Sequence, residues 1–228
     1  PEPNGKSSAM LANDKPLEAT ADRMQTADHN DRIHYDGHAI AWQGANRIWA
    51  DNLDIDRGQR RLSAKGHVKT QFLEQQKQDA KATAPPKTAP GFIVIDAEAL
   101  LYTEADRLAH YSGGTHLVRP GMDVKAAEIR AFLNDANADS SLDRAFADGG
   151  AHIFRSEPGR TLDGTGEHAE YYTADQRIVL KGGEPTLIDS VRGYTKGREL
   201  TYYPDDDKLL VNGVEKQPVK SLLHHRER

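Results

Sequence analysis

The sequence predicts an almost entirely β-structured chain built from six copies of one unit. The first observation behind this is alternation. Leu53 and Ile55 alternate with Asp54 and Asp56, Arg57-Gly58-Gln59 supplies a turn, and Leu62, Ala64 and Val68 then alternate with Ser63, Lys65 and His67. A period of two on both sides of a turn marks half-buried strands. Ala50 and Leu53 stand three apart, a slip of phase of the kind a bulge or corner produces. The second observation is recurrence. Leu53 and Ala50 lie thirteen and sixteen residues before Gly66; Met24 and Ala21 hold the same offsets from Gly37, Leu100 and Ala97 from Gly113, Ala169 and Gly166 from Gly182, and Leu200 and Gly197 from Gly213. A sixth copy ends at Gly149, with Ala126 and Ile129 in place once seven extra residues are allowed in the turn around Asn134–Leu142. Self-similarity of this kind is the mark of a repeat architecture.

Composition agrees. The 228 residues suffice for a sizeable core, as one elongated body or two domains, but at 37% hydrophobic and 29% charged the chain is surface-rich rather than a thick-cored α/β enzyme. A net charge of −5 disfavours a nucleic-acid partner held through phosphates. No apolar run approaches a membrane-spanning length. The absence of cysteine removes disulfides, thiolate metal sites and cysteine nucleophiles. The chain opens on Pro1 rather than Met, so an export signal or membrane anchor is expected upstream.

In chain order, residues 1–16 are polar, aperiodic and proline-containing, and read as a flexible lead-in. Residues 17–72 hold the first two units: Leu17 to Gln43 with its turn at Asp28–Asp31, then the unit around Gly66. Residues 73–91, rich in Gln, Lys, Ala and Pro, break the period and read as a linker or loop, with a short helix possible at Glu74–Ala82. Residues 92–223 carry units three to six. Ala126–Leu133 has a helical look, but its offsets match the strands of the other units, so it reads as a strand. Tyr102, Tyr171 and Tyr202 share one repeat position with Ile55, which suits a pleated, half-buried surface. Residues 224–228 read as a frayed tail.

The units that carry Ala50-Asp51-Asn52-Leu53-Asp54-Ile55 with Leu62–Val68, and Ala97-Glu98-Ala99-Leu100-Leu101-Tyr102 with Ala109–Gly113, resemble the OstA-like family of lipopolysaccharide transport proteins, which includes periplasmic LptA, LptC and the N-terminal domain of LptD. The resemblance spans roughly Glu18 to Val214 without the linker, and departs from the pattern where Gly166 and Gly197 replace the corner alanine. It implies an elongated, repeat-built β-jellyroll of two facing sheets of stacked hairpins, each repeat burying its apolar face on its neighbours. It also implies a non-enzymatic periplasmic module, with no cofactor, that shields lipopolysaccharide acyl chains on their way to the outer membrane. The lipid-binding groove would be lined by Ile33, Tyr35, Leu53, Leu62, Leu100, Tyr111, Ile129, Ile178, Leu180, Leu200 and Leu209, together with Ile153, Leu187 and Val211. The small residues Ala64 and Ala147, with Ala109, Ala145 and Ala169, would either leave width for acyl chains or let the sheets close on each other. Each methylene taken from water contributes about 0.8 kcal/mol, so acyl chains need few polar contacts.

The partners implied are lipopolysaccharide or a similar glycolipid, and other OstA-like jellyrolls, LptC- or LptD-like or a second copy, joined by edge-strand addition. The strand Ile33–Trp42, which has no lysine and lies in a first unit with no proline after Pro16, is the expected docking edge, whereas Val214–Pro218 partly protects the other end.

Other motifs carry less. Gly164-Thr165-Gly166-Glu167-His168-Ala169 fits a loose dinucleotide pattern but opens a β-repeat rather than a βαβ unit. His34, His38 and His67 fall on outward positions, and no third metal ligand accompanies His34 and His38. Asp205-Asp206-Asp207 suits a hairpin turn better than a calcium loop. No nucleophile elbow is present. Two further readings stay open at this level: a polysaccharide-acting β-helix enzyme, which would need clustered carboxylates, and a structural cell-surface β-repeat protein, against which the irregular glycine intervals argue.

Overall fold

The computed structural model describes residues 17–73, 91–134, 142–213 and 218–223. Among these the chain forms sixteen strands and one 3-10 turn, Asp28–Asn30, with no α-helix. Two short strands, β1 (Glu18–Thr20) and β2 (Arg23–Ala27), come first. Eight long ones follow: β3 (Arg32–Gln43), β4 (Asn46–Asp56), β5 (Arg61–Leu73), β6 (Phe92–Thr103), β7 (Leu108–Arg119), β8 (Met122–Leu133), β9 (Leu142–Glu157) and β10 (Arg160–Tyr172). The last six are short again: β11 (Arg177–Lys181), β12 (Thr186–Asp189), β13 (Gly193–Lys196), β14 (Glu199–Tyr203), β15 (Lys208–Asn212) and β16 (Lys220–Leu223). The strands form one open antiparallel sheet, in the order β1-β3-β4-β5-β6-β7-β8-β9-β10-β11-β14-β15, with β2 beside β3, β12 beside β10, β13 beside β12 and β16 beside β13.

The alternation and recurrence in the sequence therefore yield the all-β stack expected of them, and Ala126–Leu133 is strand throughout. The slip of phase is a bulge at which the sheet folds. Register shifts fall between Trp49 and Asn52, between Lys65 and Val68, between Asp96 and Ala99, and between Ser112 and Thr115, so each long strand bends at the same height. Gly66, at φ +74°, and His67, at φ +47°, make one such corner. A Cβ on Gly66 would fall 2.2 Å from Asp51 Oδ2, so the position combines left-handed backbone with close approach of the neighbouring strand. The bend divides the sheet into two walls whose inward side chains share one apolar cluster, including Leu53, Leu62, Leu100 and Tyr111 from one wall and Ile48, Val68, Ile95 and Ile153 from the other.

One boundary and one edge differ from the expectation. Leu73 belongs to β5 and pairs with Phe92, so residues 74–90 join the ends of two paired strands. The lead-in 1–16, the possible helix at 74–82, the body of the linker and the tail 224–228 lie outside the described residues. The strand expected at the free edge, Ile33–Trp42, is instead interior: β4 covers one side, and β1 and β2 cover the other. Glu18–Thr20 and Arg23–Ala27 are short, polar and exposed, apart from half-buried Ala19, so they show none of the alternation that betrays a strand. The outer edges are thus β1 with β2 at one end and β15 with β16 at the other.

Candidate functional site

The candidate site is the interior between the two walls. Cross-strand register fixes its lining. One row runs Tyr35, Leu53, Ala64, Leu100, Tyr111, Ile129, Ala147, Ala169, Leu180, Leu200, Val211, each residue directly opposite the next, with exposed Met24 paired to Tyr35 at its outer end. The adjacent inward row of the same wall contains Ile33, Ile55, Leu62, Tyr102, Ala109, Ala131, Ala145, Tyr171, Ile178, Tyr202 and Leu209. Thus Ile33, Tyr35, Leu53, Leu62, Ala64, Leu100, Tyr111, Ile129, Ala147, Ile178, Leu180, Leu200 and Leu209 all lie on one wall. Tyr35 and Leu209 are half-buried there and the others buried. Of the residues read from the sequence as lining, Ile153 and Leu187 alone come from the opposite wall.

That opposite wall is built from Ala41, Ile48, Thr70, Ile95, Leu117, Val124, Ile153, Gly164, Leu187 and Thr195, again in direct register. Most of it escaped the sequence reading, because the bulge resets which parity faces inward. The walls meet closely in the middle of the array. Thr70 Oγ1 on one wall and the Tyr111 hydroxyl on the other lie 3.1 Å apart. Both side chains are buried, and burial pushes the Tyr111 phenol well above its usual range. The small residues at Ala64 and Ala147 are filled over by neighbours rather than left as open width.

Toward β10–β15 the interior loosens into a cavity of about 20 Å³, room for a water molecule or so. Ile153, Leu162 and Leu187 line it from one wall, and Ile178, Leu180, Leu200 and Leu209 from the other, with Gly164 facing in without a side chain. Charged residues crowd the rim above it. Arg160 Nη2 bonds Asp189 Oδ2 at 2.5 Å and Arg160 Nη1 bonds Asp207 Oδ1 at 2.6 Å. Arg192 Nη2 bonds the Asp207 carboxylate too, and Arg192 Nη1 donates to the Asp207 carbonyl at 2.9 Å. Arg155, lining the cavity, pairs with Glu157 at 2.7 Å. Burial pushes the Asp189 carboxyl up, but hydrogen bonds from Arg160 and from the Val191 and Arg192 amides outweigh it and hold the group below the ordinary carboxylate range.

The outward histidines are paired rather than gathered. His34, His38 and His67 bond Asp54, Asp22 and Asp51 at 2.6, 2.9 and 2.9 Å, and His110, His116 and His152 bond Glu128, Asp123 and Asp163 across neighbouring strands. Gly164 and Gly166 sit inside β10, flanked by strands on both sides and with no helix to receive a phosphate.

Comparison with known proteins follows the same lines. The family model described as LptA/(LptD N-terminal domain) LPS transport protein matches residues 18–88 and 94–208. No curated protein matches the sequence. Among solved structures, the fold is similar to LptH, the LptA-homologous periplasmic component of the lipopolysaccharide transport device from Pseudomonas aeruginosa. That match has a TM-score of 0.52 at 11% identity and covers 58% of this chain and 95% of LptH.

Proposed function

Because the chain belongs to the LptA/LptD N-terminal domain family of lipopolysaccharide transport proteins, we propose that it is a non-enzymatic periplasmic module that shields lipopolysaccharide acyl chains between its two walls. The observation that carries this reading is the unbroken inward row from Tyr35 to Val211, apolar at every strand it crosses. An acyl chain laid along such a row exchanges water for side chains at about 0.8 kcal/mol per methylene, which works against the cost of parting the two closed walls. The periplasmic setting is that of LptH, the structural neighbour. The edges β1–β2 and β15–β16, which have no further strand beside them among the described residues, are where related jellyrolls would add their own strands.

The test is photocrosslinking to lipopolysaccharide with p-benzoylphenylalanine in place of Tyr35 or Leu209, which face inward, against Leu101, which faces solvent. Adducts at the two inward positions and none at Leu101 are expected. Equal labelling at all three would place the lipid on the outer surface and overturn the reading.

A further inference from the structure

The rim over the cavity joins elements that the sheet itself keeps apart. Arg160 opens β10 at the tip of one wall, Arg192 lies in the turn between β12 and β13 of that wall, and Asp207 lies in the β14–β15 turn at the tip of the other. Two guanidiniums from one wall therefore converge on one carboxylate from the other, beside the cavity-lining Tyr202, whose hydroxyl also reaches Asp207 Oδ1 at 3.5 Å. Its parts differ in burial. Arg160 is held from behind by Asp189, whose side chain is only 6% exposed, whereas the Asp207 side chain is 46% exposed on a hairpin turn. The walls here are also less tightly joined, because β11 and β12, and likewise β13 and β14, are separate strands rather than one strand crossing the corner.

We propose that Arg160 and Arg192 form a binding site for the phosphate of an amphiphile, in which the Asp207 carboxylate stands in for the lipid anion until a ligand displaces it. This rests on the acyl-shielding reading and adds to it the point of entry. Paired guanidiniums bind phosphate with the same fork of N–H donors that they offer a carboxylate. A phosphate seated on Arg160 and Arg192 releases the Asp207 turn, parts the two rims, and leaves the first acyl chain directly above Leu162, Leu187 and Leu209. Gly164 lines that cavity without a side chain, and Leu180 and Leu187, which pack over it, are the side chains a methylene run would have to displace first.

Two variants cut the same cross-rim contact with opposite consequences for an anion site. Asp207→Asn removes the competing carboxylate, and Arg192→Gln removes a phosphate donor. The measurement is the initial rate of photocrosslinking of diphosphorylated lipopolysaccharide at position 209, with position 35 as the distant reference and thermal melting as the check on folding. Asp207→Asn should raise the rate at 209 by about two- to fivefold, the factor an exposed ion pair is worth, and Arg192→Gln should lower it by a similar factor. If both variants speed labelling, the rim is a plain clamp and the phosphate site is wrong. If position 35 labels before 209, or neither variant changes the rate, the entry point is wrong while acyl shielding stands. Absence of adducts at both positions would instead bring down the acyl-shielding reading itself.

Discussion

The middle of the array and its C-terminal end solve the same corner in two ways. From β3 to β10 each strand crosses the corner whole, slipping register through a bulge, and the inward side chains there are packed to near-zero exposure at Leu53, Leu62, Ala64 and Tyr102. Beyond β10 the strand is cut at the corner. Gly182, Gly183 and Glu184 all take positive φ, and Pro185 ends any continuation of β11 into β12. The described cavity lies in this second region, beneath a rim held by charge. The contrast teaches that a bulge keeps the walls coupled, since each half of a strand positions the other, whereas a break lets them close only as well as their own contacts allow.

The largest effect that could break this contrast is a core truncation made in both regions. Leu62→Ala, at a fully buried position in the middle, should cost about 3–5 kcal/mol in urea unfolding, because a tightly packed site cannot collapse around the space left. Leu209→Ala, beside an existing cavity and half-buried, should cost less than half as much. Equal costs would show the two regions to be packed alike.

A smaller effect probes the corner. Gly113 and Gly114 both have positive φ, but a Cβ on Gly113 would fall 2.4 Å from Glu98 Cβ, while a Cβ on Gly114 would meet nothing within 4 Å. Gly114→Ala should cost about 1 kcal/mol from backbone conformation alone. Gly113→Ala should cost clearly more, read as the difference in melting temperature. Matching losses would mean that the corner depends on backbone angle and not on the close approach of β6 to β7.

The smallest effect is the pH response, which runs in opposite directions at the two ends. His38 and His67 are raised above 6.5 by the hydrogen bonds they donate to Asp22 and Asp51, so their contribution is full at low pH and lost as pH rises through the raised values. Asp189 is depressed, so the rim it supports is intact above the ordinary carboxylate range and weakens as pH falls through the lowered value. NMR titration should find both histidines above 6.5, and Asp51→Asn should bring His67 back toward it without moving His38 comparably. An unchanged His67 midpoint would remove the Asp51 pair as the cause.

The repeat was legible because its strands alternate and its corners recur at fixed offsets: Leu53, Ala64, Leu100 and Tyr111 could be set on one wall from the chain alone. The second wall was largely not. Thr70 and Thr195 are buried there although polar, and the parity that faces inward changes after each bulge. The rim was hidden for a related reason. Arg155 and Asp189 occupy inward positions opposite Met122 and Leu162, where an alternating pattern leads one to expect apolar side chains, so they read as ends of strands and not as parts of a closure. The β1–β2 edge shows no alternation, being short and mostly polar, and only the repeat offsets of Ala21 and Met24 and the turn at Asp28–Asp31 marked it.

The neighbour-to-neighbour pairing of β3 through β10 also bears on how the chain reaches this state. Each of these strands finds its partner in the segment that immediately precedes it, apart from the longer connection at residues 74–90, so the loop-closure entropy of each step is small. Such a chain zips one hairpin at a time, faster than the distant pairings of most all-β domains permit. At the far end β16 must wait for the β14–β15 hairpin before it can reach β13, and β14 must wait for β12 and β13 before it reaches β11. The end with the loosest walls is therefore also the last to assemble, and the first to open when the chain is pulled apart by heat.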